Sequence, residues 1–343
     1  MKRRYVLSAM AFCLIILLAF GNSSYAQAVK PIELKLSHYV PTTHTIHVEV
    51  FAPFAKELEE RTKGRVKVVI YPSEALGKAK DHYDIILRGI ADMGPFIQAY
   101  TPGRFPLSSL MDLPLQIPSA KVGSRVLMEL YEKYLKEEYS GIKVLHFQVT
   151  DPGQIHMAKK PVKTLEDLHG LRLRSPGPQQ NSIVKALGAS PINIPIPELY
   201  DTLQRGMVEG VFLPFAGIRD FRLFDLIKYH TLANLYVMPS GFVMNLKTWN
   251  SLPSDIQKTI EELIGPQIAE KAGAAFDKKA LLAMEDAKKA GAEIYQLPPE
   301  QRKIWDDQLR PINEKWVADV EAKGLPGKKI YEDARLLIEK YSK

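Results

Sequence analysis

The chain has 343 residues, with 46 Lys and Arg against 39 Asp and Glu, a formal charge of +7 and a single cysteine. That length suits two domains or one bilobal unit, and no Lys/Arg block interleaved with aromatics marks a nucleic-acid surface. One cysteine excludes an internal disulfide and a multi-cysteine zinc site.

Lys2, Arg3 and Arg4 precede the apolar run "VLSAMAFCLIILLAF" (6–20), and "SYAQA" (24–28) offers an A-x-A cleavage pattern at Ala26 and Ala28. This is the layout of a secretory signal peptide over residues 1–28, cleaved near Ala28, which places the mature chain in the periplasm. Cys13 lies inside the run, so the mature chain has no thiol for a disulfide, a zinc ligand or a nucleophile. Loss of the leader removes three basic residues and no acid, lowering the formal charge to +4. No later segment approaches the ~20 apolar residues of a spanning helix.

From residue 32 the pattern reads β-α-β-α-β: strand "IELKLSH", a helix stopped at Gly64, strand "RVKVVIYP", a helix broken at Gly89, and a short strand leading to Pro95 and Phe96. Strand "LRLRSPG", helix "PQQNSIVKALG", strand "ASPINIPIP", helix "ELYDTLQRG" and strand "MVEGVFLP" repeat that order. The last joints correspond, "LRGIADMG" (87–94) against "LQRGMVEG" (203–210), each with Arg-Gly, two apolar residues and an acid. Two such units predict an α/β chain of two parallel-sheet lobes. Residues 254–291 predict one very long helix, kinked at Pro266, that bridges the lobes.

Ligands of open α/β sheets sit outside the carboxyl ends of the strands. Those ends bring His38, Tyr39 and Phe96 from one lobe, and Arg174, Ile196, Phe212 and Leu213 from the other, toward a shared cleft. Arg174 is the last strand-like residue of "GLRLRSPGP" (170–178), where a planar five-donor fork suits a carboxylate. Arg172, on the same face but farther from the strand end, reads as structural or surface. Aromatics at the spacing of Phe212, Phe215, Phe221 and Phe224 usually pack in a core, and one or two of the four are expected to face a ligand. His38, His44 and His47 suggest imidazole ligands, but no acid stands at a matching spacing, so no metal or cofactor is assigned. Trp249 is expected to anchor the bridging helix, and the charged stretch 270–279 to be a solvated face.

"LKLSH", "FAKELEERTKGRVKVVIYPSEALG", "LRGIADMG", "KKPVKTLEDLHGLRLRSPG", "KALGASPINIPIPELYDTLQRGMVEG", "KYHTL" and "WNSLPSDIQKTI" occur in an order and spacing that resemble the solute-binding subunits of tripartite ATP-independent periplasmic (TRAP) transporters, the DctP type. The resemblance runs from about residue 32 to about residue 300. It implies a bilobal type II periplasmic binding protein fold with a hinge and a bridging C-terminal helix. Lobe I is expected to take in 29–151 and 240–279, and lobe II 152–239 and 280–343. It implies as partners a small organic acid and the small and large integral membrane subunits of the transporter, with the chain itself a monomer.

Its carboxylate-holding arginine corresponds to Arg174. Two features of many members are absent: a second arginine, whose place is taken by Gly153, and an asparagine, whose place is taken by Leu213. The implied solute is a monocarboxylate with an aromatic or branched body, walled by Phe96, Phe212 and Phe215. No Gly-x-Ser-x-Gly elbow or P-loop lysine occurs, so no enzyme is expected. A periplasmic enzyme, or a binding protein of an ABC importer or sensor, is the rival reading.

Overall fold

Two sheets carry the chain, which is described by a computed structural model over residues 30–343; the leader, Cys13 and the cleavage site lie outside the described residues. Residues 33–343 form one compact unit. The first sheet has the order β2 (Val66–Tyr71), β1 (Ile32–Ser37), β3 (Met93–Ile97), β10 (Pro239–Asn245), β4 (Ile142–Val149). The second has the order β11 (Glu293–Gln296), β9 (Tyr229–Leu232), β5 (Gly153–Met157), β8 (Gly210–Pro214), β6 (Arg172–Ser175), β7 (Ser190–Asn193).

The α/β arrangement in two sheets is as expected, but the sheets are mixed rather than wholly parallel. β1 and β3 are parallel, as are β6, β7 and β8. β10 runs antiparallel to both β3 and β4, and β5 antiparallel to both β8 and β9. The cause is the wiring. The chain leaves the first sheet through β4, enters the second through β5, and returns from β9 into β10, so β5 and β10, the strands that receive the crossings, run in reverse while β4 and β9 keep the direction of their sheets.

The eleven α-helices among the described residues are α1 (Ala52–Arg61), α2 (His82–Leu87), α3 (Ala120–Leu130), α4 (Pro178–Ala186), α5 (Leu199–Gln204), α6 (Phe215–Asp220), α7 (Leu246–Ser251), α8 (Ser254–Leu263), α9 (Pro266–Lys289), α10 (Pro299–Glu321) and α11 (Gly327–Tyr341). The expected helix over 254–291 is therefore two, α8 and α9. Ile264 takes an extended conformation and Gly265 has φ +100°, which ends the first helix. Pro266 then opens the second, where its missing N–H is harmless. α9 packs on α3 and β4 on one side and on α6 and β11 on the other, and so bridges the sheets. The last helix, α11, counted above with lobe II, lies against α3 beside the first sheet. None of the described helices is long and apolar enough to cross a membrane.

Each sheet has its own core. Phe96, Phe105, Tyr139 and Phe147 cluster behind the first, with Phe105 stacked on Tyr139 at 4.8 Å. Leu173, Ile183, Phe212, Trp305 and Leu309 fill the second. The two crossings between sheets are tied together: Thr150 N–H donates to Met238 O, Gly153 N–H to Tyr236 O, and Leu235 N–H to Gly153 O, at 3.1, 2.7 and 2.9 Å.

Candidate functional site

A cavity of about 90 Å³, measured over the positions a water centre can take, lies between the two sheets. The first sheet's side supplies Tyr39, Val40, His44 and Ile46 after β1, and Pro95, Ile97 and Tyr100 at the end of β3. The second supplies Arg174 and Pro176 from β6 and its end, Ile196 after β7, Leu213 and Pro214 from β8, and Ala216, Gly217, Asp220 and Phe221 from α6 and its end. Thr150, Asp151, Tyr236 and Met238 come from the crossings, and Phe276 from α9. At about 10–15 Å³ per water, the space holds roughly six to nine of them, or a compact solute of about ten non-hydrogen atoms.

Arg174 is 2% exposed. Its register opposite Ile192 of the edge strand β7 and Val211 of β8 fixes it between two paired strands. Nε donates to Ile194 O at 2.9 Å and Nη1 to Phe212 O at 3.3 Å. No carboxylate pairs with it among the described residues. Two carbonyls engage two of the five N–H groups a guanidinium carries, and a buried charge without a counter-charge is costly. The arrangement is suited to receiving an anion.

Two phenols stand beside this charge. Burial pushes the Tyr100 hydroxyl up, the nearby Arg174 pulling it back, and the same two influences act on Tyr236. Both are therefore neutral at physiological pH. Tyr100 Oη accepts the Ile196 N–H at 2.9 Å, which leaves its own proton for an acceptor. Tyr236 Oη donates to Phe212 O at 3.2 Å.

The acids of the cavity wall are occupied otherwise. Asp151 accepts the Phe215 and Ala216 N–H groups at 2.7 and 3.3 Å, and burial drives its carboxyl well above the usual range. Asp220 accepts the Thr45 hydroxyl at 2.9 Å and stands 3.5 Å from His44 and 3.6 Å from Lys279. Burial lowers His44, with Asp220 opposing.

Of the residues proposed from sequence, Arg174, Tyr39, Ile196 and Leu213 line the cavity. Four do not. His38 is fully buried behind it, 2.9 Å from His47 through the ring nitrogens and packed on Phe51. Burial and the neighbouring His47 lower it to about 3. Phe96 points into the first sheet's aromatic cluster because its neighbours Pro95 and Ile97 take the cavity face, as alternation along a strand requires. Phe212 is on the far face from Leu213 for the same reason and packs on Tyr236. Phe215 packs on His156 and His230. Phe221 is the one aromatic of its group of four that reaches the cavity wall.

Arg172 lies on the surface, paired with Glu209. Trp249 is buried, and its carbonyl accepts Gln257 Nε2 of α8 at 2.8 Å. The stretch 270–279 is not simply a solvated face, since Phe276 lines the cavity and Asp277 accepts the Ala120 and Lys121 N–H groups at 2.7 and 3.0 Å. No group of three or more potential ligands among the described residues could hold a metal ion. Tyr100, Asp151 and Tyr236 were not singled out from sequence. They lie in irregular segments after strands, where no periodicity marks a face.

Two α/β sheets joined by paired crossings, with one buried guanidinium on the cavity between them, define a bilobal solute-binding protein. Residues 36–319 match the family described as bacterial extracellular solute-binding protein, family 7 (DctP), and the chain belongs to that family, the periplasmic solute-binding proteins of TRAP transporters. It is 27% identical over 94% of its length to the C4-dicarboxylate-binding periplasmic protein DctP of Rhodobacter capsulatus, of which it covers 96%.

Its structure is similar to a marine metagenome TRAP solute-binding protein specific for aromatic acid ligands, in complex with 3-hydroxybenzoate. The TM-score is 0.88 at 29% identity over 91% of this chain and 99% of that one. It is also similar to a TRAP solute-binding protein of Bordetella bronchiseptica with bound (R)- and (S)-mandelate, with TM-score 0.85 at 30% identity over 91% of this chain and 100% of that one. Proteins of this family bind small organic acids and work with membrane subunits.

Proposed function

We propose that this TRAP solute-binding protein captures a monocarboxylate with an aromatic or branched body and delivers it, unchanged, to the membrane subunits of its transporter. The observation that carries the reading is Arg174, a buried cation with no carboxylate partner among the described residues, at a small cavity bounded mostly by apolar side chains. One guanidinium satisfies one carboxylate. A second carboxylate would meet Leu213, Pro214 and Ile196, where desolvation of a charge is uncompensated. The ligands of the aromatic-acid and mandelate proteins agree with such a solute, whereas the dicarboxylate named for the R. capsulatus relative does not.

In this reading Arg174 and the Tyr100 hydroxyl hold the carboxylate, and Tyr39, Leu213, Phe221 and Tyr236 enclose the body. The lobes, 29–151 with 240–279 and 152–239 with 280–343, open and close about the crossings, and the protein acts as a single chain. Closure follows from ligand touching both lobes, which gives it differential affinity for the closed form.

A thermal-shift screen of residues 29–343 against organic acids tests this. Ligand at about 100-fold over Kd adds about 2.7 kcal/mol, or roughly 4 °C for a chain of this size. Benzoate, mandelate or a branched monocarboxylate is expected to shift the wild type and not Arg174→Ala. Shifts by succinate alone, or equal shifts in the mutant, overturn the reading.

A further inference from the structure

Gly153 opens β5 opposite Pro214 of β8. A Cβ built on it would stand 1.9 Å from Cε1, 2.3 Å from Cδ1 and 2.6 Å from Cζ of Tyr236, distances no side chain tolerates. The phenol ring therefore occupies the space a side chain at position 153 would need. That ring is 4.4 Å from the Phe212 ring, is almost fully buried and lines the cavity. Its hydroxyl donates to Phe212 O, the same carbonyl that accepts from Arg174 Nη1. One backbone oxygen thus fixes the anion-binding guanidinium and the aromatic wall in a single geometry.

We infer that Gly153 and Tyr236 form the specificity element of this site: glycine admits the ring, and the seated ring selects an acid whose body is flat. An aromatic face prefers a π-face in offset or edge contact over a puckered saturated ring of similar size. Tyr236 acts by direct contact with the solute's body. Gly153 is a positioning residue that acts through Tyr236. The inference rests on the monocarboxylate reading above and deepens it to aromatic rather than branched solutes.

The test compares two probes of equal carbon count, benzoate and cyclohexanecarboxylate, by calorimetric Kd on the mature chain. The wild type is expected to prefer benzoate by at least about tenfold. Gly153→Ala, which pushes the ring out of its seat, and Tyr236→Ala, which removes it, are each expected to bring that ratio within about threefold of one. Tyr236→Phe keeps the wall and is expected to hold the ratio.

A ratio reports the wall rather than overall folding, since partial misfolding lowers both affinities alike. If the wild type binds benzoate but the ratio survives in Gly153→Ala and Tyr236→Ala, the pair is structural and the inference fails while the monocarboxylate reading stands. If the wild type prefers cyclohexanecarboxylate, the inference fails in the same way. If it binds neither probe while a dicarboxylate binds, the parent reading fails and takes the inference with it.

Discussion

At Arg174 the needs of binding and of stability oppose each other. A buried guanidinium that meets carbonyls and a neutral phenol but no carboxylate is destabilising until a counter-charge arrives, and replacing buried charge with an apolar side chain is often neutral or stabilising. Arg174→Met is therefore expected to abolish acid binding while the apo protein's Tm stays level or rises; a fall of more than about 4 °C, roughly 2–3 kcal/mol for this size, would show that the carbonyl bonds matter more than the desolvated charge. Asp112 gives a second handle. It is buried, accepts Gln180 Nε2 at 2.7 Å, and burial raises its carboxyl to about 7, against the amide's opposing pull. Because the unfolded value is near 4, the folded state holds the extra proton between about pH 4 and 7, and the group's contribution to stability falls as pH rises through that window. Asp112→Asn is expected to be more stable than the wild type at pH 8, on the order of a few kcal/mol at most, and level with it near pH 4, as read by denaturant titration at both values. The comparison with wild type isolates Asp112 from the buried histidines His82 and His146, which burial lowers to about 4 and whose pH dependence has the opposite sign. Arg174 was legible in sequence because a charged residue stands where a strand stops at Ser175-Pro176. Phe96 and Phe212 were misplaced by one position, since which face of the pleat meets the cavity depends on how the sheet packs and not on the strand's own alternation.

Among the helices, α9 and α3 pack most extensively, and a glycine makes the contact. A Cβ on Gly273 would stand 2.6 Å from Ala120 O and 2.8 Å from Lys121 Cα, backbone atoms that cannot turn aside. Four residues on, Asp277 accepts the first two N–H groups of α3, while Ser119 Oγ accepts that of Val122 at 3.2 Å. The bridging helix thus caps its neighbour as well as packing on it. Gly273→Ala is expected to destabilise by about 1–3 kcal/mol through overpacking, and Asp277→Ala by about 1 kcal/mol through the lost cap, both measurable by urea titration; an unchanged midpoint in Gly273→Ala would mean that the helices separate freely. The repeated joints were legible because they rest on local chemistry: Gly89 and Gly206 both adopt left-handed backbone, φ +73° and +67°, at the helix ends where the sequence placed them. The break at Gly265 and the strands β4, β5, β9 and β10 were not. Their pairing is set by segments far apart in the chain, and a strand that crosses between sheets carries no sign of its direction.

Taken as a whole, the molecule holds its two sides together by side-chain hydrogen bonds besides α9 and the crossings, two of them at the cavity and others, including Trp316 Nε1 to Ser109 Oγ at 2.8 Å, away from it. Thr45 donates to Asp220, the Ile196 N–H to Tyr100 Oη, and Gln180 to Asp112. Each joins a residue from the first sheet's side to one from the second's. In the opening and closing proposed above, these bonds exist only when the sides are together, so they add to the closed form what the ligand alone need not supply. Asp220 is the most connected of them, since it also faces His44 and Lys279 and takes two bonds from Thr45. The protein's apparent affinity is its intrinsic affinity scaled by the fraction in the binding-competent form. Thr45→Val removes the hydroxyl from this contact while keeping volume, and leaves Arg174, Tyr100 and Tyr236 untouched. A hydrogen bond to a charged group is worth about 1.5–3 kcal/mol, so benzoate affinity is expected to fall by roughly tenfold or more, with the loss in koff rather than kon. Small-angle scattering on the same variant should show a larger radius of gyration at subsaturating benzoate and the wild-type value at saturation. An unchanged koff would place the closing free energy elsewhere, in the crossings or in the ligand's own contacts with the two sides.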